Sequence, residues 1–168
     1  MSYSLEQLST DIRSQLQVDA GVSGQRNILA FVTKALLDDA FVEQHLKAEE
    51  CRPRKVLFED PELGFCVCGH VYEKGMSKVW PHDHGNSWAI YGLAAGDTEM
   101  TDWEVVEQGD ESNATLVKPS RSYELKRGDC HLYEVGAIHS PLIGVAAKLV
   151  RIEGSNLDRV KRSNIRAA

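Results

Sequence analysis

The stretch that decides the fold is Trp80-Pro81-His82-Asp83-His84-Gly85-Asn86-Ser87-Trp88. Alternate side chains of an extended chain point the same way, so His82 and His84 offer two imidazoles to one ion while Asp83 faces away. A useful site needs a third ligand. His139, in Gly136-Ala137-Ile138-His139-Ser140-Pro141, supplies it from the start of another expected strand. A His-x-His pair alone is often a surface or packing feature, so its surroundings decide.

Those surroundings are short strands separated by turn residues. The strand candidates after residue 50 are Lys55 to Glu59, Gly64 to Tyr72, Ser87 to Ala94, Thr98 to Val106, Ala114 to Val117, Ser122 to Leu125, His131 to Val135 and Leu142 to Ile152. Asp60-Pro61, Gly75, Gly96-Asp97, Gly109-Asp110, Lys118-Pro119, Gly128-Asp129 and the segment from Ile138 to Pro141 read as turns between them. Many short strands with regular turns predict an antiparallel barrel or sandwich. Before residue 50 the period is helical. Leu5, Leu8, Ile12 and Leu16 recur at helical spacing behind a Ser4/Gln7 capping box, and Gly21 and Gly24 break the run. A second stretch, from about Gln25 to Leu46, divides around Asp38-Asp39. We therefore expect a helical segment over 1–49, a barrel over 50–157 and a tail over 158–168, forming one integrated domain.

With 168 residues the chain can bury one good core. A net charge of −6 repels phosphate backbones and argues against nucleic acid. No apolar run reaches the roughly 20 residues of a membrane helix, so no membrane partner is expected. The opening residues lack the basic start and apolar core of a secretory signal, which gives a cytoplasmic expectation. Cys51, Cys66, Cys68 and Cys130 then read as reduced packing residues, Cys66 and Cys68 sharing one strand face. His45 reads as exposed, and His70 and His131 as structural histidines that could also line the pocket.

The order Gly75, His82-x-His84, Gly92, Gly96, Gly128-Asp129 and Gly136-x-x-His139 resembles the two consensus motifs of the cupin superfamily. That resemblance implies a mainly β fold, a double-stranded β-helix or jelly-roll barrel preceded by α-helices. In it His82, His84 and His139 meet around one divalent metal. The glutamate ligand that usually follows the pair is missing, since Ser87, Trp88 and Ala89 stand there. Three neutral imidazoles with open positions suit iron(II), which we favour; zinc holding a water, or nickel, is the alternative.

From about Arg54 to Leu157 the chain also resembles the thiol dioxygenases, including cysteine dioxygenase and 3-mercaptopropionate dioxygenase. This likeness implies a ferrous three-histidine site taking dioxygen and a small anionic substrate, with Arg54 at the place of the carboxylate anchor. The other reading of Arg54 is a basic residue facing solvent. The family's Ser-x-His-x-Tyr relay is absent, its places taken by Leu149, Arg151 and Glu153, and Ala89 stands at the cysteine cross-link position. Arg151 could anchor an anion and Glu153, with its pKa raised by burial, could serve as a general base. Otherwise the two form a structural pair at the barrel mouth. Among the aromatic residues Trp80, Trp88, Tyr91 and Trp103, Trp88 is expected to wall the metal pocket.

The expected function is a mononuclear non-haem iron dioxygenase acting on a small anionic metabolite, thiols included. The alternatives are a zinc or nickel cupin with hydrolase or isomerase activity, and a non-catalytic ligand-binding cupin. General oligomer frequencies make a homodimer the expectation.

Overall fold

The computed structural model describes residues 2–73, 80–110, 112–143 and 145–168. Gly75, the turn glycine expected ahead of the histidine pair, lies outside the described residues. Helices α1 (Leu5–Val18), α2 (Val22–Leu37), α3 (Asp39–His45) and α4 (Ala48–Cys51) come first. Ser4 caps α1 by accepting from the Gln7 N–H, and Asp38 caps α3 by accepting from Phe41. Gly24 does not end a helix as expected. It sits inside α2, where a Cβ would lie 1.8 Å from the Asp19 carbonyl oxygen.

Among the described residues nine strands follow: β1 (Lys55–Glu59), β2 (Cys66–Tyr72), β3 (Ala89–Ala95), β4 (Thr98–Glu107), β5 (Thr115–Leu125), β6 (Cys130–Tyr133), β7 (Ile138–Leu142), β8 (Ala147–Glu153) and β9 (Ile165–Ala167). They build two sheets, ordered β1-β2-β8-β3-β6 and β7-β4-β5-β9. All pairings are antiparallel except β5 with the short β9. The result is the expected jelly roll of the cupin type, with helices packed on the first sheet.

Two expected turns are strand. Pro119 continues β5 because the ladder slips there, Trp103 facing Pro119 while Asp102 faces Arg121, and a bulge tolerates a missing N–H. Pro141 lies in β7, an edge strand of its sheet.

The layers explain which side chains reach the site. Ile90, Val150, Ile152, Val67 and Val71 pack with Ile28, Val32 and Leu36 of α2, on the helix-facing side of the first sheet. Ala89, Tyr91, Leu93 and Leu149 lie on its other side, against Met100, Leu125 and Tyr133 between the sheets. β3 is buried over six successive residues because both of its faces are covered. The segment after residue 157 covers the barrel, β9 extending the second sheet. The four cysteines are free thiols, three of them buried. Among the described residues no helix is long and apolar enough to cross a membrane.

Candidate metal centre

His82 lies opposite His139 in an isolated antiparallel bridge, each backbone N–H donating to the other's carbonyl at 3.0 Å. This reciprocal pair fixes two imidazoles side by side. His84 reaches the same point two residues on, and the Ser87 N–H then closes a turn onto the His84 carbonyl at 3.1 Å. The turn runs through Gly85, whose φ of +59° is a region glycine occupies without strain. Asp83 faces the other way, as alternation requires. Its carboxylate accepts from the Gly85 N–H at 3.2 Å, the Ser163 N–H at 3.0 Å and the Ser163 hydroxyl.

Each of His82, His84 and His139 presents one ring nitrogen within 4.8 Å of the other two. The ring centres are 5.6 Å apart for His82–His84, 4.7 Å for His82–His139 and 4.8 Å for His84–His139. Three imidazoles meeting one ion through bonds of about 2.1 Å place their ring centres about 4.5–5.2 Å apart, close to what is seen. His84 Nδ1 and both nitrogens of His139 are buried without a hydrogen-bond partner. Buried polar atoms are rarely left so, and a divalent cation is the partner this donor set fits. His82 Nδ1 is engaged with the Trp80 carbonyl at 3.0 Å, leaving Nε2 for a metal.

The environment keeps the imidazoles neutral. Burial, above all, pushes His82 down to about 4 and His84 to about 3, the Arg151 charge acting in the same sense on both. Burial likewise holds His139 well below the usual imidazole range, and the neighbouring His82 and His84 add to it. Neutral imidazole is the form that binds metal.

Arg151 and Glu153 do enter the space between the sheets, on the face they share with Leu149, but Glu153 is no general base. Burial raises its pKa; the hydrogen bond from Arg54, the charge of Arg151 and the Leu157 N–H outweigh that and bring it to about 2. Its oxygens accept from Arg54 Nε at 3.1 Å, Arg54 Nη2 at 2.8 Å, Arg151 Nε at 2.8 Å and Leu157 N at 3.0 Å. The raised pKa expected from burial alone is thus corrected. Both arginines are committed to this carboxylate, and Arg54 also donates to Asp158 at 2.6 Å. Arg54 does not face solvent, and neither fork stands free for a substrate.

Trp88 does not wall the pocket. It has the parity of Ile90, packs against the helix-facing core, and its indole covers Gly154, where a Cβ would come within 2.5 Å of Nε1. Trp80 is 77% exposed. His45 is half-buried on Phe41. His70 is buried beside Tyr72, and His131 lies between Tyr123 and Tyr133.

Sequence reasoning passed over three residues at the centre. Tyr91, named only among the aromatic residues, places its hydroxyl 3.2 Å from His84 Nε2 and accepts from Arg151 Nη1 at 3.0 Å. Tyr133 stacks on His139 with ring centres 3.8 Å apart. Arg162 is carried to the loop of His82 and His84 by its neighbours, since Lys161 packs against Gly85 and Ser163 binds Asp83. Period-two alternation with Ala89 marks Tyr91 as inward-facing; no local signal marks the tail.

No protein-family model matches the sequence, and no curated protein does either. Among solved structures the chain is similar to a cupin superfamily protein from Desulfitobacterium hafniense, at TM-score 0.45 and 12% identity over 61% of this chain and 76% of that one. It is similar to the DMSP lyase DddQ from Ruegeria pomeroyi at 0.47 and 13%, over 65% and 49%. KdgF from a Halomonas species matches at 0.43 and 17%, over 67% and 80%. Likeness at this level carries neither activity nor substrate. The class rests on the chain itself: a jelly roll of the cupin type with a three-histidine cluster that could hold a metal.

Proposed function

We propose that this protein is a mononuclear metal-dependent oxygenase, with iron(II) held by His82, His84 and His139, acting on a small anionic metabolite. The observation that carries the reading is the donor set itself. Three neutral, converging imidazoles stand without a carboxylate, and the cations Arg54 and Arg151 beside them are already balanced by Glu153 and Asp158. A divalent cation there stays uncompensated, so its vacant positions favour anionic or reducible ligands. Ferrous iron would supply the one-electron chemistry that lets dioxygen react with a closed-shell substrate.

The chain's own residues bind and orient. Among the described residues Arg162 forms no ion pair, and its charge acts on both His82 and His84. It is the group that captures the substrate's anionic end at the rim. His82 is the partly exposed member of the triad, which sets the approach from its side. Loss of Glu153 as a base also removes the group a hydrolase or isomerase reading relied on. Thiols belong among the first substrates to screen, as small anions that bind soft and borderline metals.

The test is elemental analysis of protein purified anaerobically without chelator, beside His139→Ala, followed by oxygen uptake with small anionic thiols and carboxylates. About one iron per chain, lost in the variant, with substrate-dependent oxygen consumption is the expected result. Zinc or nickel with no oxygen uptake would replace this reading by a non-redox one.

A further inference from the structure

Tyr91 faces Arg151 directly across the β3–β8 ladder, and Ala89 faces Glu153 one step along. That register builds a line of contacts ending on a metal-binding imidazole. Arg54 grips both oxygens of Glu153, Glu153 holds Arg151, Arg151 Nη1 donates to the Tyr91 hydroxyl at 3.0 Å, and that hydroxyl lies 3.2 Å from His84 Nε2. We infer that Tyr91 is the positioning residue of the metal centre, its hydroxyl holding the His84 imidazole in its binding orientation while the Arg54–Glu153–Arg151 cluster holds the hydroxyl. The inference rests on the metal reading and extends it to residues that are not themselves ligands.

Three features separate this from ordinary packing. The Tyr91 ring is already placed without its hydroxyl, meeting Tyr133 edge-on at 5.4 Å and His139 at 5.1 Å, with the His84 ring stacked on it at 5.8 Å. The hydroxyl therefore does something the ring does not. Arg151 spends Nε on Glu153 and Nη1 on Tyr91, and its planar fork fixes the angle between them. The neighbouring Tyr133 offers the internal comparison: it stacks on His139, yet its hydroxyl goes to the Tyr123 hydroxyl at 2.6 Å, not to a ligand.

The experiment titrates Co(II) alone into metal-free wild type, Tyr91→Phe and Tyr133→Phe, reading affinity by chelator competition and ligand geometry from the visible Co(II) bands. Loss of a group that orients a metal-binding histidine typically weakens affinity 10–100-fold. That loss with altered bands is expected for Tyr91→Phe, and a change below about threefold for Tyr133→Phe. Wild-type affinity and bands in a folded Tyr91→Phe would overturn the inference, even if its melting point dropped. If Tyr91→Phe does not fold, Arg151→Lys takes its place with the same two outcomes, because lysine keeps the charge but cannot span both partners. A wild-type protein that binds no Co(II), Zn(II) or Fe(II) overturns the metal reading first, a result distinct from the others.

Discussion

Replacing Glu153 by glutamine removes one negative charge from between two cations and changes little else in shape. Glu153 is fully buried, and the side chains of its partners Arg54 and Arg151 are only 16% and 8% exposed. The carboxyl is lowered from 4.5 to about 2, so its ionised form is stabilised by folding to the extent of roughly 3 kcal/mol at neutral pH. Breaking a buried pair from one side costs a similar ~3–5 kcal/mol. E153Q should therefore melt about 6–12 °C below wild type at pH 7. The sign of the pH dependence follows from the lowered pKa: the stabilisation is complete above about 4.5 and is lost as pH falls toward 2. Chemical unfolding of both proteins in metal-free buffer at pH 7, 5, 4 and 3 checks this. The gap should stay constant from pH 7 to 5 and narrow below. A gap under about 1 kcal/mol at pH 7, or one that does not narrow, would refute the picture of a carboxylate held ionised by two arginines.

Four further outcomes follow from the geometry. His84, lowered to about 3 when folded, takes up its proton first in the unfolded chain, so its own contribution to metal-free stability is full above about 6.5 and falls below it by up to about 1.4 kcal/mol per pH unit, beside those of His82 and His139; His84→Gln should lessen the slope of the urea midpoint between pH 6.5 and 5, and an unchanged slope would count against a neutral buried imidazole. Trp88→Ala opens a cavity under the helices and should cost about 2–4 kcal/mol while Co(II) affinity stays the same; a tenfold weaker affinity would put the indole back at the site. Gly85→Ala drives a Cβ to 2.5 Å from the Lys161 carbonyl, so hydrogen exchange over residues 160–165 should quicken while that of α2 does not. A metal bound through His82, His84 and His139 ties β7, in the second sheet, to the loop entering β3, in the first; at one hundred times Kd it should raise the melting point by about 5–10 °C in wild type and not at all in His139→Ala.

The fold was legible where period and turn chemistry agreed. Ser4 and Asp38 each announce a helix start locally, and the glycines at 96, 128 and 136 mark real turns with positive φ. Pro119 and Pro141 misled because proline disfavours a strand only where its missing N–H would face a partner, and a bulge or an edge removes that demand. The three-histidine cluster was legible because His82 and His84 are two residues apart and the motif order placed His139. Trp88 was misplaced by one step of parity, since an aromatic next to a ligand says nothing of which face it takes until the strand start is fixed. Tyr91 and Arg162 depend on register between distant strands and on where the tail lands, which no local pattern encodes.

The charged cluster inside the barrel needs a reason beyond stability. Buried ion pairs commonly cost as much in desolvation as they return, and apolar side chains of similar volume would fill the space beside Cys68, Leu149 and Leu93 at least as well. Leucine at 151 and 153 would leave Arg54 outside and Tyr91 without a donor. With it would go the side-chain hydrogen bond that reaches His84. What Arg151 and Glu153 supply that an apolar pair could not is a fixed direction for that hydroxyl, while the charge of Arg151 adds to burial in keeping protons off His84 and His139. On the metal reading the pair on β8 acts in series: Glu153 fixes the fork of Arg151, and Arg151 fixes the hydroxyl that meets His84.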